Sequence, residues 1–155
     1  MQYRIRRARL EDLECIFAIE LVSFGREAYD RKLFAGYLKK YGELFLVAEA
    51  GGKVCGYIIT CMWAVASGAR AELVSIAVDP LRRHRGAASA LLHSTLRRLR
   101  RRGVVWLRLM VRVDNVAACA FYEKEGFRRD RKVRGYYEDG GDGVRMKRPV
   151  VLRGE

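Results

Sequence analysis

The stretch of residues 73–92 joins an apolar run, a basic turn and the start of a helix-patterned segment. The run Leu73–Val78 has the composition of a buried strand, and Asp79-Pro80 ends it. From Ala87 onward the apolar positions recur at helical spacing. A strand, a turn of small residues and a helix N-terminus form an anion-binding site, because the first helical N–H groups have no partners within the helix. The stretch therefore predicts a pyrophosphate site at the turn.

The spacing within the turn discriminates among phosphate-binding loops. The chain has no G-x-x-x-x-G-K-[ST], and no G-x-G-x-x-G followed by an acidic residue about twenty positions later, which excludes P-loop and Rossmann sites. Arg83, Gly86 and Ala88 form R-x-x-G-x-A instead. An arginine-rich turn with a glycine also begins ordinary solvated helices, but this spacing resembles the acetyl-CoA-binding motif of the GNAT superfamily of N-acetyltransferases.

Composition limits both the fold class and the partners. The chain has 155 residues, 50% of them hydrophobic, which suits a single domain with a packed core over residues 1–155. Its formal net charge of +13 favours nucleic acid, ribosomes or anionic ligands and disfavours polycationic substrates. No apolar run approaches the roughly 20 residues of a membrane span, and the first six residues lack the apolar region of a signal peptide. We expect a soluble, cytoplasmic protein without membrane contact.

The cysteines show no spacing typical of a metal or disulfide site. None forms a C-x-x-C pair, and each lies among apolar residues, which is typical of small core side chains. We therefore expect neither a metal nor a disulfide from Cys15, Cys55, Cys61 and Cys119.

Periodicity and breakers predict the element order β-α-α-β-β-β-α-β-α-β-β. Such an order is typical of a mixed α/β domain with one strand–helix–strand crossover in its second half. Gly42 is expected to close the second helix as a left-handed cap. The predicted strands are Tyr3–Ala8, Glu43–Glu49, Lys53–Trp63, Ala71–Val78, Val104–Val113, Phe127–Val133 and Val144–Val150. The predicted helices are Leu10–Phe24, a second one capped by Asp30 and reaching Lys40, a third from Ala87 to Arg102, and Val116–Glu125.

Three further segments extend the resemblance to nearly the whole chain. Residues 72–80 resemble the fourth strand of the GNAT family, and residues 115–127 match its N-x-x-A-x-x-x-Y-x-x-x-G-F signature. Residues 134–142 resemble the R-G-Y-Y-x-D-G-x-D loop of protein N-terminal acetyltransferases, in particular the RimI-like branch and its archaeal enzymes. The resemblance implies the GNAT fold, a mixed α/β (α+β) architecture. Its central, mostly antiparallel seven-stranded sheet has splayed fourth and fifth strands and is accompanied by four helices.

The resemblance also implies where acetyl-CoA binds. Its pantetheine would lie between the splayed strands and pair with backbone groups of Val74, Ile76 and Val78. An N–H near Ile76 is the candidate donor to the oxyanion that forms during transfer. Asn115 would hydrogen-bond the cofactor, although the same side chain suits a helix N-cap equally well. The backbone that would cradle the pyrophosphate belongs to Arg83, Arg85, Gly86, Ala88 and Ser89.

The family's chemistry needs an acid for the leaving thiolate and a base for the amine. Tyr122 matches the family's general acid, although it could also be an aromatic on the inner face of its helix. RimI-like enzymes often carry Glu in an L-E-V-R segment, where this chain has Met110. Two other acids remain, Glu72 at the start of the fourth strand and Glu27 between the first two helices. We expect them to act through water, without choosing between them.

The amine's acidity favours a protein N-terminus as substrate. An α-amino group has a pKa of about 7.7–8.0 against about 10.4 for lysine, so deprotonating lysine at neutral pH costs about 3 kcal/mol more. A site without the strand glutamate suits the easier amine. Glu27, Tyr29, Tyr136 and Tyr137 are expected to line the peptide groove.

We therefore expect an acetyl-CoA-dependent N-acetyltransferase that acts on N-termini of ribosomal or general nascent chains by direct attack, without metal. One alternative is a GNAT acetyltransferase acting on protein lysine or a small-molecule amine. Another is a basic RNA- or ribosome-binding module that uses the arginines of residues 97–102, which otherwise form a solvated helix face. Ribosome contact could accompany catalysis, and a monomer or weak dimer is expected.

Overall fold

A computed structural model describes residues 2–83 and 86–152. Its strands and α-helices follow the predicted order. The strands described there are β1 Arg4–Arg7, β2 Phe45–Ala50, β3 Lys53–Val65, β4 Gly68–Val78, β5 Trp106–Arg112, β6 Arg128–Val133 and β7 Gly143–Pro149. The α-helices in the same part of the chain are α1 Leu13–Phe24, α2 Arg31–Tyr41, α3 Ala87–Arg101 and α4 Val116–Lys124. None of these helices has the length and apolar character needed to cross a membrane.

The strands form a 7-stranded sheet in the order β1-β2-β3-β4-β5-β7-β6. The pairs β1–β2, β2–β3, β5–β7 and β6–β7 are antiparallel, whereas β4 and β5 run parallel. A parallel pair needs a crossover connection, which α3 provides. The β4–β5 ladder consists of Ala71 with Leu107 and Glu72 with Arg108, which is short for strands of 11 and 7 residues. The predicted mixed, mostly antiparallel sheet is confirmed, and the splay of the fourth and fifth strands stays a prediction.

The described chain divides into two compact units. One contains the residues up to Cys61 together with Val74–Arg98, and the other contains Met62–Leu73 together with the residues from Leu99 onward. The strands β3 and β4 and the helix α3 contribute to both units. A single domain over residues 1–155 stays a prediction.

An aromatic cluster forms the core of the first unit. Phe34 of α2 packs edge-on against Tyr57 of β3, with ring centroids 5.9 Å apart, and lies 6.4 Å from the ring of Phe45 on β2. Both Phe34 and Ile16 of α1 are fully buried in this cluster. Burial of a side chain of this size contributes roughly 1.5–3 kcal/mol. This core holds α1 and α2 against the strands that carry the candidate cofactor residues.

A close backbone approach in the first unit favours glycine at position 56. A Cβ atom there would lie 3.0 Å from the carbonyl oxygen of Ala77 and 3.3 Å from the side chain of Val78. The neighbouring backbone belongs to the end of β4, just before the predicted pyrophosphate turn. Gly56 therefore lets β3 support the point where the turn begins.

Several local predictions differ from the structure. The helix α1 begins at Leu13 rather than Leu10, because a 3-10 turn, Leu10–Asp12, precedes it. The strand β4 begins at Gly68 rather than Ala71, because β3 continues to Val65 and only the turn Ala66–Ser67 separates the strands. Gly42 has φ −55°, so it is not a left-handed cap. The chain continues there into a 3-10 turn, Gly42–Leu44, which buries Leu44 in the core.

Candidate active site

The predicted pyrophosphate turn ends at Gly86, directly before α3. Gly86 has φ +87°, a conformation that favours glycine. Its carbonyl accepts the first helical hydrogen bond, from the N–H of Ala90 at 3.0 Å. The N–H groups of the next residues, including Ala88 and Ser89, stand at the positive end of the helix dipole. No described atom lies within 4 Å of where a Cβ of Gly86 would stand, so the backbone there is open to a ligand.

Arg83 holds the first residues of the turn in place. Its Nε donates to the carbonyl of Val78 at 3.3 Å, and its Nη2 donates to the hydroxyl of Ser23 at 3.2 Å. These contacts connect the turn with the end of β4 and with α1. The Arg83 side chain therefore contributes to the shape of the site as well as to its charge. The predicted contribution of Arg85 lies outside the described residues.

Strand β4 alternates between buried and half-buried side chains. Ser75 and Ala77 are buried, whereas Glu72, Val74 and Ile76 are half-buried. Val78 is buried at the end of the strand. The residues after Glu72 lie outside the described β4–β5 ladder.

Tyr122 is a buried phenol in the second unit. It lies on α4 with 8% of its surface exposed, and its ring packs against Phe121 and Phe127 at centroid distances of 5.4 and 5.5 Å. Burial raises the pKa of the phenol, and the neighbouring Cys119 and Tyr137 act in the same direction. The hydroxyl therefore stays protonated at neutral pH, the state that a proton donor requires.

Arg112 organises the tyrosine loop of residues 134–142. Its guanidinium lies 4.2 Å from the ring centroid of Tyr137, and its Nη2 lies 3.1 Å from Oδ2 of Asp139. The rings of Tyr136 and Tyr137 are 5.0 Å apart and nearly perpendicular, and Tyr136 is exposed. Asp142 accepts a hydrogen bond from the N–H of Gly135 at 2.9 Å and closes the loop. Two of the residues predicted to contact the peptide, Tyr136 and Tyr137, thus lie on a loop held by Arg112 and Asp142.

Asn115 caps α4. Its Oδ1 accepts from the N–H of Ala118 at 3.1 Å, so the capping role that its residue type allows is confirmed. A hydrogen bond from Asn115 to the cofactor stays a prediction.

The two candidate bases belong to different units. Glu72 is half-buried in the second unit and stands opposite Arg108 in the parallel ladder. Glu27 is exposed in the first unit, at the end of the 3-10 turn Gly25–Glu27. Met110 stands on β5 opposite Arg145 of β7. Its thioether occupies the space beside Gly143, where a Cβ atom would lie 2.9 Å from the Met110 sulfur.

Tyr29 follows the turn that carries Glu27. Its half-buried ring makes edge contacts with Phe34 and Tyr37, at centroid distances of 6.3 and 6.5 Å. Part of this side chain therefore belongs to the core, and a peptide contact would use the remainder.

Sequence reasoning missed two residues of these neighbourhoods. Glu20 of α1 is buried, and it accepts hydrogen bonds from Tyr57, Ser75 and the N–H of Tyr29. The available signal was a carboxylate at helical spacing from the apolar residues Leu13, Ile16 and Phe17 of the same helix. Arg112 lies in the segment compared with L-E-V-R, but nothing in the sequence says which loop it contacts.

Within the described residues, no three His, Cys, Asp or Glu side chains cluster as metal ligands.

Comparison with known proteins gives the same family throughout. The model of the Acetyltransferase (GNAT) family matches residues 6–127. The N-alpha-acetyltransferase of Saccharolobus solfataricus is 32% identical over 96% of this chain and 93% of its own length. The crystal structure of Ard1 from Thermoplasma volcanium has a TM-score of 0.90 at 30% identity, covering 98% of this chain and 100% of that one. The crystal structure of the ribosomal-protein-S18-alanine N-acetyltransferase from Escherichia coli has a TM-score of 0.79 at 33% identity, covering 99% of this chain and 97% of that one. The chain belongs to the acetyltransferase (GNAT) family.

Proposed function

We propose that this protein transfers the acetyl group of acetyl-CoA to the N-terminal α-amino group of proteins. The observation that carries the proposal is the match, over nearly the full length of both chains, to an N-alpha-acetyltransferase. The E. coli enzyme of similar structure acts on an alanine of ribosomal protein S18, as its name states. Nascent and ribosomal proteins, in the cytoplasm where they are made, are therefore the proposed substrates.

The first unit offers the features that acetyl-CoA needs. The open backbone at Gly86 and the N–H groups of Ala88 and Ser89 fit a diphosphate at a helix N-terminus. We assign the pyrophosphate to these groups and to Arg83, and the pantetheine to backbone groups of Val74, Ile76 and Val78. Asn115 is assigned a further hydrogen bond to the cosubstrate.

The transfer itself requires two proton movements. The neutral amine nitrogen attacks the thioester carbonyl carbon, and the tetrahedral oxyanion accepts a hydrogen bond from the N–H of Ile76. Collapse of this intermediate breaks the C–S bond, and the thiolate takes a proton from Tyr122. The proton of the amine leaves through water to Glu72 or Glu27. The pKa of a phenol, about 10 and raised further by burial at Tyr122, exceeds the value of about 8.5 for a thiol, so this transfer is uphill and requires a phenol held against the sulfur.

The substrate side is assigned to the two tyrosine-bearing segments. Tyr136 and Tyr137 lie on the loop ordered by Arg112, and Tyr136 exposes 51% of its surface to a ligand. Glu27 and Tyr29 lie on the segment after α1. These side chains would contact the first residues of the peptide.

Contact with the ribosome is a further part of the proposal. Arg97, Arg100, Arg101 and Arg102 at the end of α3 are exposed and form a basic face. Such a face binds phosphate backbones with an affinity that falls steeply as salt rises. Cosedimentation with ribosomes between 50 and 200 mM salt tests this part, with the Arg97, Arg100 and Arg101→Gln variant as the comparison.

A peptide panel with labelled acetyl-CoA tests the catalytic proposal. Each peptide is offered with a free N-terminus, with a blocked N-terminus, and with a single internal lysine. We expect label only on peptides with a free N-terminus, and localised there by fragmentation in a mass spectrometer. Label on blocked, lysine-containing peptides would contradict the proposal and favour a lysine acetyltransferase. RNA binding without any effect of acetyl-CoA on the melting temperature would favour the binding module instead.

A further inference from the structure

A buried carboxylate lies at the meeting point of three elements in the first unit. Glu20 of α1 is only 1% exposed. Its Oε1 accepts from the hydroxyls of Tyr57 on β3 and Ser75 on β4, the latter at 3.2 Å. Its Oε2 accepts from the backbone N–H of Tyr29 at 3.0 Å. Both carboxylate oxygens are therefore used, and each serves a different part of the structure.

The donors around Glu20 are neutral. No Lys or Arg of the described chain forms an ion pair with this carboxylate, so two hydroxyls and one amide carry its stabilisation. Burial and the adjacent Glu20 raise the pKa of Tyr57, which keeps the phenol a donor. An apolar side chain would fill the same space without the desolvation penalty of a carboxylate. A buried carboxylate at this position therefore contributes less to the free energy of folding than an apolar side chain would, which points to a role in positioning its partners.

The segment held by Oε2 is the one assigned to the substrate. The helix α1 ends at Gly25, whose φ of +56° turns the chain out of the helix into a turn of three residues, Gly25–Glu27. Tyr29 follows, and its N–H points back to Glu20. The Oε1 side of the same carboxylate contacts Ser75, the neighbour of Ile76 on β4.

We infer that Glu20 is a positioning residue that fixes the segment Gly25–Tyr29 relative to β4 and thereby sets Glu27 and Tyr29 for the peptide. The inference rests on the proposed function. Loss of the carboxylate should weaken peptide binding, because the segment would sample several positions. Binding of acetyl-CoA should change less, since the backbone of β4 is held in the sheet whether or not Ser75 is bonded to Glu20.

Three variants separate positioning from general stability. Glu20→Leu removes both acceptors at similar volume. Glu20→Gln keeps a carbonyl oxygen for Tyr29, while its amide group can donate to the hydroxyls of Tyr57 and Ser75. Ile16→Val removes one methylene from the same helix, one turn earlier, where the side chain is fully buried in the core cluster and carries no polar atom.

Two readouts are measured on the full chain. The first is hydrogen exchange of the Tyr29 amide, relative to the exchange of core amides. We expect Glu20→Leu to speed it about tenfold or more, Glu20→Gln to give partial protection, and Ile16→Val to leave the ratio unchanged. The second is the KM for a free N-terminal peptide against the Kd for acetyl-CoA. Here we expect a rise of about tenfold in KM for Glu20→Leu, a rise of about threefold for Glu20→Gln, and a Kd within about twofold of the original in both.

The outcomes separate a failure of the positioning role of Glu20 from a failure of the proposed acetyltransferase function. If Glu20→Leu and Ile16→Val change the Tyr29 amide equally, or if KM and Kd shift together, the carboxylate is structural and the inference is wrong. If Glu20→Leu does not fold, the ratio of Tyr29 to core exchange in Glu20→Gln decides the question, and an unchanged ratio overturns the inference. Failure of the proposed function has a different signature, an unmodified chain that acetylates no free N-terminus.

Discussion

The guanidinium carbon of Arg112 lies 4.2 Å from the centroid of the Tyr137 ring, within the range of a cation–π contact. The Nη2 of the same guanidinium lies 3.1 Å from Oδ2 of Asp139 in the same loop. The N–H of Gly141 and the adjacent Arg112 hold the pKa of Asp139 below its usual range, so this partner stays ionised. One side chain of β5 thus fixes both the aromatic and the acidic part of the proposed peptide-contacting loop.

Replacing Arg112 with Met should therefore weaken peptide binding more than catalysis. A stacked, ion-paired guanidinium contributes about 1–2 kcal/mol, so we expect the peptide KM to rise about tenfold, with kcat changed far less. Arg112→Lys should recover the charge but not the planar contact, giving an intermediate KM. Arg129→Gln is the control, because it removes an ion pair with Glu123 whose side chains are both about half exposed. Equal effects of Arg112→Met and Arg129→Gln on KM would contradict this role.

Tyr122→Phe should lower kcat by about 100-fold or more, because the ring keeps its packing while the proton donor is lost. The raised pKa of Tyr122 also fixes the sign of the pH dependence. The protonated, active phenol should persist above pH 10, so kcat should show no alkaline loss from this group between pH 7 and 9.5. Tyr3→Phe is the control, since its buried hydroxyl has no hydrogen-bond partner in the described chain. An alkaline loss near pH 9 that vanishes in Tyr122→Phe would contradict the assignment.

The two candidate bases are separated by the pH dependence of their amide variants. An α-amine with a pKa of about 7.7–8.0 is largely neutral above pH 9 and then needs less help from a base. For the variant that removes the true base, Glu72→Gln or Glu27→Gln, we expect kcat/KM about 100-fold below the unmodified enzyme at pH 6.5 and close to it above pH 9. A deficit that is the same at every pH would instead indicate a binding role. Steady-state rates measured from pH 6 to 9.5 on both variants show whether Glu72 or Glu27 is the base.

Local patterns predicted the elements well because each depends on neighbouring residues. The apolar run before Asp79 and the small residues after Arg83 are sufficient to predict a strand, a turn and a helix start, and α3 begins at Ala87 as expected. Asp30 caps α2 as predicted, accepting from the N–H of Leu33 at 2.8 Å. Such caps are decided within four residues and need no tertiary information.

Long-range partners could not be predicted in the same way. Glu20 is separated by 37 residues from Tyr57 and by 55 from Ser75, and nothing in the sequence records which of many polar groups a buried carboxylate meets. The same holds for the contact between Arg112 of β5 and Tyr137, which lies in the irregular loop between β6 and β7. Gly42 failed as a cap prediction for a related reason, since packing of Leu44 decides the backbone there. Tertiary packing overrides a local preference worth about 1 kcal/mol.

A largely buried ion-pair network connects β1 with the start of α1. Arg6 donates to Asp12 at 2.8 Å and to Glu49 at 2.7 Å, and Asp12 also accepts from the N–H of Arg9 at 2.7 Å. The side chains of Arg6 and Asp12 are 13% and 9% exposed. The Arg6 guanidinium, assisted by the N–H of Arg9, holds the pKa of Asp12 below its usual range against the opposing effect of burial.

The lowered pKa of Asp12 predicts the sign of an acid-stability effect. A folded pKa below the unfolded value of about 3.9 gives stability that is fully present above that value and is lost as pH falls through the folded pKa. We expect Asp12→Asn to lower the free energy of unfolding by about 1–3 kcal/mol at pH 7, and the difference to shrink below pH 4. Glu14→Gln should change stability little at either pH, because Glu14 and Arg31 are 74% and 63% exposed. Urea unfolding at pH 7 and pH 3 measures both variants, and a difference for Asp12→Asn that grows on acidification contradicts the assigned sign.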